Sequence, residues 1–163
     1  MTIETASALE TRQLPQGRKR ASVHREILTH IENGENALFR FLRGYMEIAL
    51  GTSHDDNDMP LGSDYDLTSI APASLISAWA ECSQFCRECE TDLTHLDDER
   101  NGRNFWLTRN RCGSSDYYDA TANDELAEFA MQQLIRASES FGKVDLFIGA
   151  DRKLHFSNER IVL

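Results

Sequence analysis

The sequence predicts an α+β domain in which a small antiparallel sheet of two hairpins, at about 104–119 and 144–156, packs against helices, with further helices near the N-terminus. Three observations carry this expectation. Apolar residues recur every three to four positions over 22–50, 72–96 and 121–140. The period shortens after Asn101-Gly102, and short runs rich in aromatic and β-branched residues, separated by glycine turns, close the chain. At 163 residues the expected organisation is a flexible basic arm over 1–20 and one α+β domain over 21–163. A hydrophobic share of 40% with 27% charged residues is ordinary for a globular chain. No run approaches the length of a membrane-spanning helix, and the N-terminus lacks the apolar core of a secretory signal, so the expected location is the cytoplasm.

In the arm, Leu14-Pro15-Gln16-Gly17 interrupts any helix and Arg18-Lys19-Arg20 follows, a cluster that suits a solvated tail. From Ser22, a plausible N-cap, Val23, Ile27 and Ile31 predict a helix that Asn33-Gly34 ends. Leu38, Leu42, Tyr45 and Ala49 predict a second helix ending near Gly51. This helical extension over 21–50 could pack on the main body or pair with a second copy of the chain.

Residues 52–69 read as an acidic loop carrying Asp55, Asp56, Asp58, Asp64 and Asp66. A calcium-binding EF-hand loop is excluded, because counting from Asp56 puts Leu61 where the glycine belongs and Leu67 where the bidentate glutamate belongs.

Pro72, acceptable in a first turn, opens the clearest helix, with an apolar seam of Leu75, Trp79, Cys82, Cys86, Cys89, Leu93 and Leu96. The three cysteines read as small buried hydrophobes of that seam. Their spacing matches an iron–sulfur motif, but such ligands sit on loops, and a zinc site with His95 fails because Cys82 and His95 would lie about 20 Å apart on one helix. No metal, cofactor or disulfide is therefore expected. The outer face carries Glu81, Glu88, Glu90 and Asp92 and runs into Asp97-Asp98-Glu99, where acids at a helix C-terminus would oppose the macrodipole.

Residues 104–109 read as a strand, turning at Gly113-Ser114-Ser115 and returning over Asp116–Asp119. Strand alternation puts Phe105, Leu107 and Arg109 on one face and Trp106 and Thr108 on the other. Arg109 then either pairs with Asp119 or Asp145 across the sheet, or joins Trp106 in contacting a partner. Thr121 to Ser140 reads as a helix with Leu126, Ala127, Ala130, Leu134 and Ala137 inward. Val144–Ile148 and Lys153–Phe156 form the second hairpin, with His155 on its outer face.

Phe105-Trp106-Leu107-Thr108-Arg109-Asn110, Gly113, an aromatic pair with Asp119, Phe141-Gly142-x-Val144-Asp145-Leu146, Gly149-x-Asp151 and Lys153-Leu154 together resemble a family of small phage-encoded proteins, most of them without an assigned activity. Ala49-Leu50 before the acidic loop, Pro60-Leu61, Tyr65-Asp66-Leu67 and Cys82-x-x-Phe85 fit the same layout, so the resemblance covers roughly residues 44–156. Where those relatives carry a Gly-His-Gly type loop and Phe-Trp-Asp, this chain has Arg111-Cys112-Gly113-Ser114-Ser115 and Tyr117-Tyr118. The missing histidine argues against a catalytic role for that loop. The resemblance implies a phage origin and a shared α+β fold, and carries no activity with it.

The charge is local. Between Gly44 and Glu99 thirteen acids face Arg87 alone, whereas the chain as a whole carries −10. A concentrated acidic surface repels nucleic acid and anionic membranes and attracts proteins with basic grooves. The expected function is that of a non-enzymatic phage accessory protein that binds and inhibits a host or defence protein with a basic, nucleic-acid-binding surface. Its sharpest form is a DNA mimic of the anti-restriction or anti-CRISPR type, since duplex DNA carries one charge per about 1.7 Å. The expected contact residues are Asp55, Asp56, Asp58, Asp64, Asp66, Glu81, Glu88, Asp92, Asp97, Asp98, Glu99, Trp106 and Arg109, with no catalytic residue among them. Two alternatives remain: a metal-dependent hydrolase using His54, Asp55, Asp56 and Asp58, and a structural or replication module that dimerises through the helices of 21–50.

Overall fold

The computed structural model describes residues 18–118 and 124–158. Among them are five α-helices and one two-stranded antiparallel hairpin, so the molecule is mostly helical. Helix α1 spans Arg18–Asn33, and Gly34 follows at φ +58°, the left-handed conformation that glycine adopts without strain. Asn36 then caps α2 (Ala37–Thr52) by accepting the Phe39 N–H at 3.0 Å. The segment read as a helical extension supplies the centre of the core. Phe39, Phe41, Leu42, Tyr45, Met46 and Ala49 of α2 are buried, as are Ile27 and Ile31 of α1.

Helix α3 runs Pro72–Glu88, starting where the proline predicts, but it stops a heptad early: the Cys89 N–H closes on the Phe85 carbonyl, and Asp92–His95 form a separate 3-10 turn. Leu93 and Leu96 therefore reach the core from the connection, not from the helix seam. Asp97 next begins a new helix, α4 (Asp98–Asn110), accepting the Arg100 N–H at 2.8 Å. Asp97, Asp98 and Glu99 thus sit at a helix N-terminus, where acids complement the macrodipole, and not at the C-terminus expected from the sequence.

The expected hairpin at 104–119 is absent from the described residues. Residues 104–110 are helical, Arg111 at φ +51° ends the helix, and Asp116–Tyr118 make a 3-10 turn; Asp119 lies outside the described residues. Gly102, where the sequence places the change of period, is instead the point where α4 crosses α2. A methyl group there would lie 1.9 Å from the Phe41 carbonyl oxygen, and one at Gly44 would lie 2.1 Å from that of Glu99. Two glycines, one on each helix, let the backbones touch, and that contact outweighs the helix propensity each position forgoes.

Helix α5 spans Glu125–Ser140 with Asp124 as its N-cap. Ala130, Met131, Leu134 and Ser138 face the core, whereas Leu126, expected inward, is 76% exposed and Phe129 is 60% exposed. Gly142, at φ +74°, turns the chain into β1 (Val144–Ile148), which pairs with β2 (Leu154–Asn158) in the register Leu146 to Phe156. This hairpin is where the sequence places it.

Candidate functional site: an acidic surface in two parts

The acidic connection after α2 is ordered by its own aspartates. The Asp55 carboxylate accepts the N–H groups of Asn57 at 2.8 Å and Met59 at 3.0 Å, and the Asp55 N–H returns to the Met59 carbonyl. Asp66 caps the 3-10 turn Leu67–Ser69; the Thr68 hydroxyl bonded to it is the main cause holding its carboxyl below the usual range. Asp55 and Asp66 therefore shape the loop. Asp56, Asp58 and Asp64 are exposed and enter no ion pair among the described residues. A shallow groove of about 610 Å³ lies between the end of α2 and this connection, lined in part by Glu47, Leu50, Pro60, Tyr65 and Asp66.

The second acidic region lies at the other end of α2. A cavity of about 390 Å³ is walled by Leu38, Phe41, Cys86, Glu90, Leu93 and Asp98, with Glu88 exposed at the end of α3 and, on the connection that follows, Asp97 exposed and Asp92 partly buried. Leu38 and Leu50 mark the two regions on α2, which at 1.5 Å per residue puts them about 18 Å apart.

Three of the expected contact acids are engaged inside the fold. Asp98 pairs with Arg40 at 2.9 Å, Glu99 pairs with Arg43, and Glu81 pairs with Arg109 at 2.5 Å. Arg40 and Arg43 stand one turn apart on α2, so the first turn of α4 docks on a basic ridge.

Arg109 and Trp106 are not surface anchors. The Arg109 side chain is fully buried and donates Nε to the Gly142 carbonyl at 2.8 Å, Nη2 to the Phe141 carbonyl at 3.1 Å, and Nη1 to the Tyr45 hydroxyl at 3.1 Å as well as to Glu81. Its guanidinium lies 5.2 Å from the Phe105 ring centre and 5.7 Å from that of Phe141. Of the acids foreseen for it, Asp145 is exposed and is not among its partners, and Asp119 falls outside the described residues. Burial opposes the Arg109 charge, but Tyr45 and Glu81 more than offset that, so its pKa lies above the ordinary value. Burial likewise lifts the Tyr45 phenol far up, which keeps it protonated. Trp106, 3% exposed, donates Nε1–H to the Thr52 hydroxyl at 2.9 Å and meets Tyr45 edge-on at 5.3 Å.

Several of the residues that carry the phage-protein resemblance meet here. Phe105 packs edge-on against Phe141 at 5.1 Å, Arg109 binds the Phe141-Gly142 carbonyls, and Asn110 accepts the Val144 N–H at 2.8 Å. Together they bind α4 to the junction between α5 and β1, a folding constraint in place of a chemical one.

The four cysteines are free thiols. Burial raises Cys82, Cys86 and Cys112, and pushes Cys89 up to about 12, so none is a thiolate nucleophile at neutral pH. Among the described residues no three His, Cys, Asp or Glu side chains are placed to hold a metal ion. His54 is exposed, and the Asp55 oxygen a hydrolase would use is engaged by main-chain N–H groups. Sequence reasoning left Glu47 and Glu90 out of the site. The only signal available was their membership of the acidic third, because what places them is the packing of α2 against the loop and of α3 against α4. No protein-family model, curated protein or solved structure matches the chain.

Proposed function

We propose that the chain is a non-enzymatic binding protein that engages a basic surface on another protein through the acids at the two ends of α2. One observation carries this reading. The fold neutralises Glu81, Asp98 and Glu99 with buried or half-buried arginines, yet it directs Asp56, Asp58, Asp64, Glu88 and Glu90 outward. Like charges held close repel one another and weaken the folded state, so their retention at two defined places suits a cationic partner. The phage resemblance makes that partner a host or defence protein with a nucleic-acid-binding surface. Trp106 and Arg109 take no part in the contact.

Two triple reversals test it: Asp56→Lys/Asp58→Lys/Asp64→Lys at one end and Glu88→Lys/Glu90→Lys/Asp92→Lys at the other. Affinity capture from host extract should retain a nucleic-acid-binding protein at low salt, release it at high salt, and lose it with at least one triple variant. Displacement by added duplex DNA would support mimicry. Capture indifferent to salt and to both variants would overturn the reading.

A further inference from the structure

The C-terminal hairpin leaves one sheet edge open. The Gly149 N–H donates to the Lys153 carbonyl and the Ala71 N–H to the Leu154 carbonyl, which sets the alternation along both strands. Asp145 and Phe147 turn their main-chain groups toward β2, while Val144, Leu146 and Ile148 turn theirs away. On the far edge of β2, Ala71 and the Ser74 hydroxyl meet Leu154 and Phe156. On the far edge of β1, Asn110 holds the Val144 N–H. Among the described residues nothing bonds the outward N–H and C=O groups of Leu146 and Ile148. The same short strand carries two large exposed apolar side chains, Phe147 at 46% and Ile148 at 37%.

We propose that this edge pairs with the β1 edge of a second copy of the chain, antiparallel about a twofold axis at Phe147. The register follows from three constraints. Centring on Leu146 would require the Val144 N–H that Asn110 already holds, whereas centring on Phe147 pairs Leu146 with Ile148 of the second copy and uses all four outward groups of Leu146 and Ile148 in each strand. Phe147 then faces Phe147 of the second copy in a non-hydrogen-bonded pair, the closer cross-strand arrangement, which covers both exposed rings. Ile148 of each copy meets Leu146 of the other on the inner face. Charge points the same way. Residues 143–155 carry Lys143, Arg152 and Lys153 against Asp145 and Asp151, so this hairpin is a part of a −10 chain at which two copies can approach. In the proposed register Asp145 stands opposite Gly149, so no two acids face each other. An unpaired, partly apolar edge of this kind is a template for strand addition.

Sedimentation equilibrium of the full chain tests the proposal. The expected result is a concentration-dependent dimer whose dissociation constant rises at least about tenfold in Phe147→Glu and in Phe147→Lys, each of which sets like charges directly opposite across the axis. An equimolar mixture of the two variants should recover the dimer as a heterodimer. Circular dichroism should stay unchanged, because Phe147 is half exposed. Should either variant fail to fold, Ile148→Pro, which removes one outward N–H and leaves the pairing with β2, should give the same loss. A wild-type chain that stays monomeric, a dimer insensitive to these variants, or a mixture that fails to re-associate would each overturn the proposal.

Discussion

Helix α4 and the acidic connection after α2 look alike as strings of polar residues, and the fold treats them in opposite ways. In α4, Asn101, Asn104, Thr108 and Arg109 are buried, and each has a partner from another segment. Asn101 donates to the Leu93 and Leu96 carbonyls, Asn104 exchanges two bonds with Asp116, Thr108 donates to Ser115, and Arg109 joins α2, α3 and the end of α5. In the connection, Asp55 and Asp66 bond only within the loop, and Asp56, Asp58 and Asp64 face water. Polarity therefore does not decide burial here; the supply of partners does.

The sharpest way to break that comparison is Arg109→Ala. It would remove the buried guanidinium that Glu81, the Tyr45 hydroxyl and the Phe141 and Gly142 carbonyls share, at an expected loss of about 3–5 kcal/mol in urea-unfolding stability. A loss below about 1 kcal/mol would show that the buried network contributes little. Next comes Gly102→Ala. Alanine normally favours a helix, but here the added methyl meets the Phe41 carbonyl oxygen, so stability should fall by about 1–3 kcal/mol or more. A stabilised variant would disprove the close crossing.

A smaller effect follows from Asp116. The Asn104 side chain, and after it Arg100, hold the Asp116 carboxyl below its ordinary value. A carboxylate depressed in the folded state contributes stability that is present above its unfolded value of about 4 and disappears as pH falls through the folded value. Unfolding followed from neutral pH down into the acid range should show this loss, and Asp116→Asn should flatten that limb of the profile. The least effect is expected on the exposed side of the comparison. Asp56→Asn and Asp64→Asn should each change stability by no more than about 0.5 kcal/mol while lowering the negative charge offered to a partner. A large destabilisation from either would mean that these exposed acids, like the buried polar side chains of α4, hold the fold.

What could be read in advance depended on whether the signal was local. Asn33-Gly34 before the apolar period of Leu38, Leu42, Tyr45 and Ala49, Pro72 at a helix start and the glycine turn before Lys153-Leu154 each act within a few residues, and α2, α3 and the 144–156 hairpin are recognisable from them. Helix α4 was not. Its buried face is built from asparagine, threonine and arginine, which erases the hydrophobic period, while Phe105-Trp106-Leu107-Thr108 imitates a strand. Gly102 is ambiguous for the same reason: a glycine that permits a helix crossing and one that marks the end of an element look identical without the partner backbone. The acids at 97–99 were placed at the wrong end of a helix because no glycine or proline marks the break after Cys89.

The amino-acid sequence by itself determined where the charge lies, where most helices begin, and that residues 144–156 form a hairpin, because these depend on neighbours along the chain. Only the tertiary structure decided that residues 98–110 are helical, that Asp97 to Glu99 sit at a helix N-terminus, and that Trp106 and Arg109 belong to the core. The partners that settle those outcomes, such as Tyr45 and Glu81 around Arg109, stand 64 and 28 residues away in the chain and meet it only after folding.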